Sequence, residues 1–292
     1  MDSWNDAQTF LAVTEERSFS RAAAKLGVGQ PTVSRRIANL EEKIGVQLFR
    51  RGRGGAELTD EALGLVPAAE QMARWAAEFV RGTTTHESSI SGTVRIAAPP
   101  GVAVEYLGAF AKKIKERHPQ VTLEVIAGVE HLDLTRGAAD IAIRTRPSNE
   151  PELVILGRAK NSLGVYAHTD YAATLPSPCT WSEVDWITWC QPFDTVAPRP
   201  MLEKLIPDFD PVFASDDYLV QKSALAAGLG AMIVSATEAE RHHANLVEID
   251  VGVKLPDSEF YVIAAKSSQN VPRIRAIVTL LLDEITSTRS SE

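Results

Sequence analysis

Apolar residues return at helical spacing through the first third of this chain and in short strand-like runs through the rest. Over residues 3–16, Trp4, Ala7, Phe10, Leu11 and Val13 share one helical stripe. Phe19, Ala22, Ala23 and Leu26 repeat the pattern, and Gly27 ends it, since glycine accepts the left-handed conformation that closes a helix. Ser18 or Ser20 offers the capping oxygen at the start. After a turn at Val28 and Gly29, Pro31 suits the first turn of a new helix. There Val33, Ile37, Leu40 and Ile44 stack on one side. Gln30, Pro31, Thr32, Ser34, Arg35 and Asn39 are left for the other, with Arg36 on the flank. An apolar back and a face of hydroxyl, amide and guanidinium groups is what a major-groove reader requires. The short glycine turn and the small-residue helix before it distinguish this pattern from an ordinary solvated helix face.

Beyond Gly45 the residues 46–49 and 56–59 read as two short strands around the basic loop RRGRGG. Such a wing would set Arg50, Arg51 and Arg53 against phosphates or in the minor groove. Thr59 is a good cap, and Asp60 and Glu61 favour the positive end of the next helix. From there to about Gly82 one stripe runs through Ala62, Leu65, Val66, Ala69, Met72, Ala73, Ala76, Phe79 and Val80, with Pro67 set to kink it. Nothing local covers this stripe, so the pattern predicts a partner helix. Residues 82–92 are small and polar and read as a hinge.

From Thr93 strands alternate with helices, which predicts parallel sheets with crossover helices. Strands are expected at 93–98, 121–127, 140–144, 163–167, 186–189, 212–214, 231–234 and 259–265, and helices at 102–117, 217–227 and 271–285. Ligands of open α/β sheets gather beyond the carboxyl ends of the strands. That rule selects Pro100, Gly101 and Val102, then Gly128 and Val129, then Arg144, Thr145 and Arg146; later in the chain it selects Thr195 and the turn at Gly228. Amides at Gly101, Val102 and Ala103, with Arg144 and Arg146, suit a carboxylate. Salt bridging within the protein is the competing use of the two arginines.

Charge sharpens the picture. The 292-residue chain carries −8, which excludes a chain-wide nucleic-acid coat. Residues 1–58 hold nine basic and seven acidic side chains, so +2 there leaves −10 for the remainder. A locally basic edge on an acidic protein suits binding of DNA through one surface. No apolar run approaches the roughly 20 residues of a membrane helix. The start, MDSWNDAQTF, lacks a basic segment followed by an apolar one, so no secretory leader is expected. Cys179 and Cys190 have no metal-type spacing, and a cytoplasmic location with free thiols is the expectation. No phosphate-binding glycine loop, GxSxG elbow or catalytic set stands out, and no cofactor or metal is implied. His242 and His243 are adjacent and would face different sides of a helix. Trp181, Trp186 and Trp189 suit a core or a pocket wall.

The run from Ser18 to Arg51 resembles the N-terminal signature of the LysR-type transcriptional regulators. Ser18, Phe19, Ala22, Ala23, Leu26, Gln30, Pro31, Ser34, Ile37, Leu40, Glu41, Gly45, Leu48, Phe49 and Arg51 carry the match, followed by Leu58 and Thr59. The resemblance implies an all-α winged helix-turn-helix at 1–59 and a linker and dimerisation helix with hinge at 60–91. It implies an α/β effector domain at 92–292, of two lobes and similar to periplasmic binding proteins. The first lobe is expected at about 92–162 and 266–292, and the second at about 163–265. Double-stranded operator DNA, a homodimer or homotetramer, and a small-molecule effector in the interlobe cleft are the implied partners, with an anion as one candidate effector. Ser18, Ser20 and Arg21 join the reader residues above as expected DNA contacts. Two positions depart from the family: Pro99-Pro100-Gly101 stands where a Ser or Thr hydroxyl is common, and Ser235 where a proline is common. An effector-independent regulator, a transport-type solute-binding protein and an enzyme are the alternatives. The last two lack, respectively, a leader and a catalytic set.

Overall fold

The computed structural model describes residues 3–52, 55–84, 90–130, 132–135, 137–235 and 245–287. The chain divides into two compact units, residues 1–89 with 135–138 and residues 90–134 with 139–292.

The first unit is built by helices α1 (Ser3–Glu16), α2 (Phe19–Leu26) and α3 (Gln30–Ile44), strands β1 (Phe49–Gly52) and β2 (Gly55–Leu58), and helix α4 (Asp60–Thr84). Local chemistry sets each boundary. Ser18 Oγ, rather than Ser20, accepts from the Arg21 amide at 3.4 Å. Gly27 lies at φ 66°, and the Val28 amide returns to the Ala23 carbonyl at 3.0 Å, which closes α2. Thr59 Oγ1 accepts from the Ala62 amide at 3.2 Å and donates to the Gln47 carbonyl at 2.7 Å, so one hydroxyl caps α4 and holds the approach to the wing.

Apolar burial then fixes the arrangement. Phe10, Val13, Ala22, Val33, Ile37 and Leu48 are buried in one cluster, and burial of each large side chain is worth about 1.5–3 kcal/mol. Phe49 sits between Phe10 at 5.7 Å and the edge of Phe19 at 5.8 Å, tying the wing to the first two helices. Gly55, at φ 115°, lets the wing lie on the Arg17 carbonyl, which accepts from the Ala56 amide at 2.9 Å. A Cβ on Gly55 would stand 2.3 Å from that carbonyl oxygen.

Three expectations change here. β1 begins at Phe49 rather than at Val46, so Arg50 and Arg51 belong to a strand and not to the loop. Ile44 is 40% exposed, because α3 outruns the core at its last turn. The α4 stripe is covered in part by its own unit: Ala62 and Ala69 are buried in the cluster, with Val66, Met72 and Ala73 packed on it. Leu65 and Phe79 remain exposed. Of the expected hinge, residues 85–89 lie outside the described residues.

The second unit has two lobes. In the first, β3 (Gly92–Ala98), β4 (Val121–Ala127), β5 (Ile141–Arg144), β6 (Leu153–Asn161) and β12 (Ser258–Ala265) form one sheet in the order β4-β3-β5-β12-β6. After β3 come α5 (Pro100–Val102), a π-helical turn at Ala103–Leu107 and α6 (Gly108–Arg117), so the helix expected from residue 102 starts earlier and is interrupted. The final helix α10 (Pro272–Ser287) buries Ile274, Ile277 and Leu281.

The second lobe holds β7 (Leu163–His168), α7 (Thr169–Ala172), β8 (Ile187–Trp189), α8 (Arg199–Leu205), β9 (Phe213–Ser215), α9 (Tyr218–Ala226), β10 (Ala231–Ser235) and β11 (Leu246–Glu248). An isolated parallel bridge between Trp186 and Ala231 joins the antiparallel set β10-β7-β11 to the parallel pair β8-β9. Trp186 stacks on Trp181 at 5.3 Å in the lobe core.

The sheets are mixed rather than parallel. β3 runs parallel to β4 and β5, but β12 is antiparallel to both β5 and β6. The reason is that β6 carries the chain out of the first lobe and β12 brings it back alongside. β6 and β11 do not announce themselves in sequence; β6 carries Gly157, Arg158 and Lys160 within an interrupted apolar run. Because β12 pairs in the first sheet, the second lobe ends before Ser258, not near residue 265. The two passes are stitched together: Asn161 Nδ2 donates to Ser258 Oγ at 3.0 Å, Ser258 Oγ donates to the Asn161 carbonyl at 3.1 Å, and Ser162 Oγ donates to Asp257 at 3.0 Å.

Candidate nucleic-acid interface and interlobe cleft

α3 presents the polar face that its spacing predicts. Gln30, Pro31, Ser34, Arg35 and Asn39 are exposed and Thr32 is half-buried, while Val33 and Ile37 on the opposite side are buried. Gly29 precedes α3 without a side-chain cap. Arg35 and Arg50 are exposed and have no ion-pair partner among the described residues.

Four other basic groups of this unit are engaged. Arg36 leans back to donate to Thr9 Oγ1 at 3.5 Å. Arg21 contacts the Glu16 carboxylate at 3.5 Å and donates to the Glu16 carbonyl. Lys25 pairs with Glu15 and Glu16, and Lys43 with Asp6 at 2.9 Å. Pairing with Glu15 holds the Lys25 ammonium above its ordinary pKa, its hydrogen bond to that carboxylate acting most. Ser18 is committed to its cap, and Ser20 is exposed. The backbone of Arg51 pairs with Ala56 in the wing; Arg53 lies outside the described residues.

Glu41, one of the matching signature positions but given no role in the sequence, is a positioning residue. It stands near the end of α3, and its Oε1 accepts from the amides of Leu48 at 2.7 Å and Phe49 at 3.3 Å. One carboxylate therefore satisfies the first amides of the wing and fixes its angle to α3.

In the second unit a cavity of about 950 Å³ opens between the lobes. It brings together Pro100, Gly101, Val102, Gly128, Val129, Arg144, Thr145, Arg146 and Thr195, all expected from the strand-end rule. Gly228 is not among its lining residues. That turn sits beside His168, on another side of the second lobe.

The expected anion cradle is altered. The Ala103 amide is spent on the Pro99 carbonyl at 3.0 Å. Arg144 is buried, donates to the Leu132 carbonyl at 3.0 Å and faces Glu150 at 3.5 Å. Arg146 is exposed.

The walls also include residues that the sequence did not reveal: Glu105, Asn161, Phe193, Tyr218, Gln221, Met232 and Phe260. Tyr218 follows Asp217, which caps α9 just beyond the end of β9, so the strand-end rule would have found it had it been applied there. Trp189 is cleft wall, edge-on to Phe193 at 5.9 Å, whereas Trp181 and Trp186 are core. Among the described residues no cluster of His, Cys, Asp and Glu could hold a metal. No described helix is long and apolar enough to cross a membrane. His242 and His243 lie outside the described residues.

Two family models cover this architecture. Residues 4–63 match the bacterial regulatory helix-turn-helix protein, lysR family, and residues 87–286 match the LysR substrate binding domain. This chain belongs to the LysR family. Among its LysR relatives, the HTH-type transcriptional regulator cbl of Escherichia coli is 28% identical over 255 residues, covering 82% of this chain and 79% of that protein. ShiR of Corynebacterium glutamicum is 33% identical over 148 residues, covering 49% of this chain and 50% of that protein. Several relatives are matched over only about half of their length; for CrgA of Neisseria meningitidis the share is 58%, at 28% identity over 60% of this chain. The fold is that of full-length LysR structures. A cysteine-to-aspartate variant of OxyR from Pseudomonas aeruginosa superposes with a TM-score of 0.68 at 19% identity, over 97% of this chain and 94% of that one. CbnR complexed with its target DNA gives 0.63 at 18% identity, over 98% and 100%.

Proposed function

We propose that this LysR-family protein is a sequence-specific, DNA-binding transcriptional regulator of the cytoplasm, without catalytic activity, whose hold on DNA is set by a small molecule in the interlobe cleft. The observation that carries the reading is the exposed polar face of α3, with Arg35 free beside it and Arg50 free on the wing. Gln30, Thr32, Ser34 and Arg35 would meet base edges and nearby phosphates. Arg36, Arg50, Arg51 and Arg53 would neutralise phosphate, Arg36 after giving up its contact with Thr9. Pro31 would bring the start of α3 close to the groove, and Ser18, Ser20 and Arg21 would stand toward the backbone of the adjoining strand. Exposed Leu65 and Phe79 on α4 support pairing of two chains through the linker helix, as a dimer or as half of a tetramer. Two reading heads then call for an operator with two-fold-related half-sites. The boundaries that follow are a reader at 1–59, a linker at 60–91 and an effector domain at 92–292.

Control by a ligand requires different affinity for two arrangements of the chain, and a cleft walled by both lobes supplies the means. The test is a titration against genomic fragments at several salt concentrations. Tight binding to a fragment containing an inverted repeat, weakening steeply with salt, is the expected result. Equal, weak binding to every fragment, with and without metabolite pools, would overturn the reading.

A further inference from the structure

The cleft's own walls define what it can hold, given the reading above that it holds the effector. We infer that the ligand is a neutral, ring-bearing molecule with one hydrogen-bonding oxygen, seated between the aromatic pair Trp189–Phe193 and Phe260 and bonded to Tyr218.

Four observations carry this. First, the interior wall is apolar and aromatic: Trp189 and Phe193 meet edge to face, and Phe260, Met232, Ile126 and Ile143 line the same space. Flat rings gain from such walls beyond their buried area. Second, the buried charges are already matched inside the protein. Arg144 is taken by the Leu132 carbonyl and Glu150, and Glu105 by Lys222 at 3.4 Å. The remaining charged wall residues, Glu130, Arg146 and Lys160, are exposed, where water screens them. Third, at the cleft wall after β3 neither Pro99 nor Pro100 has a backbone N–H, and the Ala103 amide is spent on the Pro99 carbonyl, which leaves the amides of Gly101 and Val102 as the donors of that turn.

Fourth, Tyr218 lines the cleft with only 9% of its surface exposed, and its hydroxyl has no hydrogen-bond partner among the described residues. The hydroxyl is shielded from water, so a ligand oxygen must displace the atoms that cover it; bonding there then removes the cost of a buried hydroxyl without a partner. The cavity volume of about 950 Å³ suits a ligand of drug-like size. A carboxylate driven into this interior would lose hydration without a free buried cation to receive it.

The experiment is calorimetric titration of the full-length protein with naphthol, naphthoate, naphthalene and decanol at neutral pH, repeated on Tyr218→Phe. Naphthol is expected to bind one per chain, at least about tenfold more tightly than naphthoate and more tightly than decanol. Tyr218→Phe should melt at or above the temperature of the parent protein, weaken naphthol up to about tenfold and leave naphthalene unchanged. Naphthoate equal to or tighter than naphthol, or decanol tighter than naphthol, overturns the ligand class and leaves the cleft as a binding site. Unchanged naphthol affinity in Tyr218→Phe overturns the assignment of the hydroxyl. No saturable binding of any of the four overturns both this inference and the reading of the cleft on which it rests.

Discussion

Glu105 Oε1 lies 3.4 Å from Lys222 Nζ, with the two side chains only 9% and 7% exposed. Glu105 stands in the π-helical turn of the first lobe and Lys222 on α9 of the second, so this buried pair joins the lobes beside the cleft. Removing one member leaves the other charge buried without its counter-ion at 3.4 Å. Glu105→Ala should therefore cost about 3–5 kcal/mol, while the double change Glu105→Leu with Lys222→Met should recover most of that loss. Urea denaturation of the three proteins gives the answer; a double variant no more stable than Glu105→Ala would show that the pair acts through packing alone.

Burial holds Lys222 below its ordinary pKa, opposed in part by Glu105. A lysine depressed in the folded state contributes stability that is complete above its unfolded value and fades as pH falls through its folded value. Across the window between that lowered value and the ordinary lysine value of 10.5, the wild-type protein should gain stability relative to Lys222→Met as pH rises. Paired denaturation curves across that range measure the sign, and a constant difference would count against it.

The wing should depend on one carboxylate. Glu41→Ala removes the acceptor of the Leu48 and Phe49 amides, at a cost of about 1–3 kcal/mol. Hydrogen exchange at those two amides should accelerate far more than in β12. Protection unchanged at both would mean that water or another group replaces the carboxylate.

Arg50→Ala and Gln30→Ala should separate two roles. The first should weaken cognate and random DNA alike and lower the salt slope by about 0.9 for the lost contact. The second should change the preferred sequence. Equal losses on cognate and random DNA in the Gln30 variant would remove it from the base-reading set.

Gly55→Ala places a Cβ against the Arg17 carbonyl at a φ of 115° that side chains resist. A loss of about 1–3 kcal/mol is expected from backbone strain alone, with weaker DNA binding as the wing moves off the turn between α1 and α2. Thermal melting and a DNA titration check both parts.

The reader was legible because its determinants are local. The caps at Ser18, Gly27 and Thr59 and the two-sided pattern of α3 each sit within a few residues of what they organise. The cleft was legible as a set of strand ends and illegible as chemistry. Arg144 could be placed at the end of β5, but its engagement with Leu132 and Glu150 depends on a loop fold that no local pattern records. Glu105 and Lys222 are far apart in sequence and meet only through the packing of two lobes. β6 escaped notice because an edge strand with an exposed face carries a weak apolar signal, and its sole neighbour, β12, arrives much later in the chain.

That late arrival has a consequence during synthesis. β6 has no neighbour in the sheet until β12 emerges, after roughly a hundred intervening residues, a delay of about 5–20 seconds at ribosomal rates. For that interval the nascent chain carries all the residues of its first unit but an unfinished first-lobe sheet with an open strand edge, the kind of edge that invites pairing with other chains. Asn161 and Ser258 meet only then, so their stitch closes the edge of β6, and α10 packs on later still. A ribosome halted within the second lobe would release a product with its first unit whole and its first-lobe sheet still open at β5.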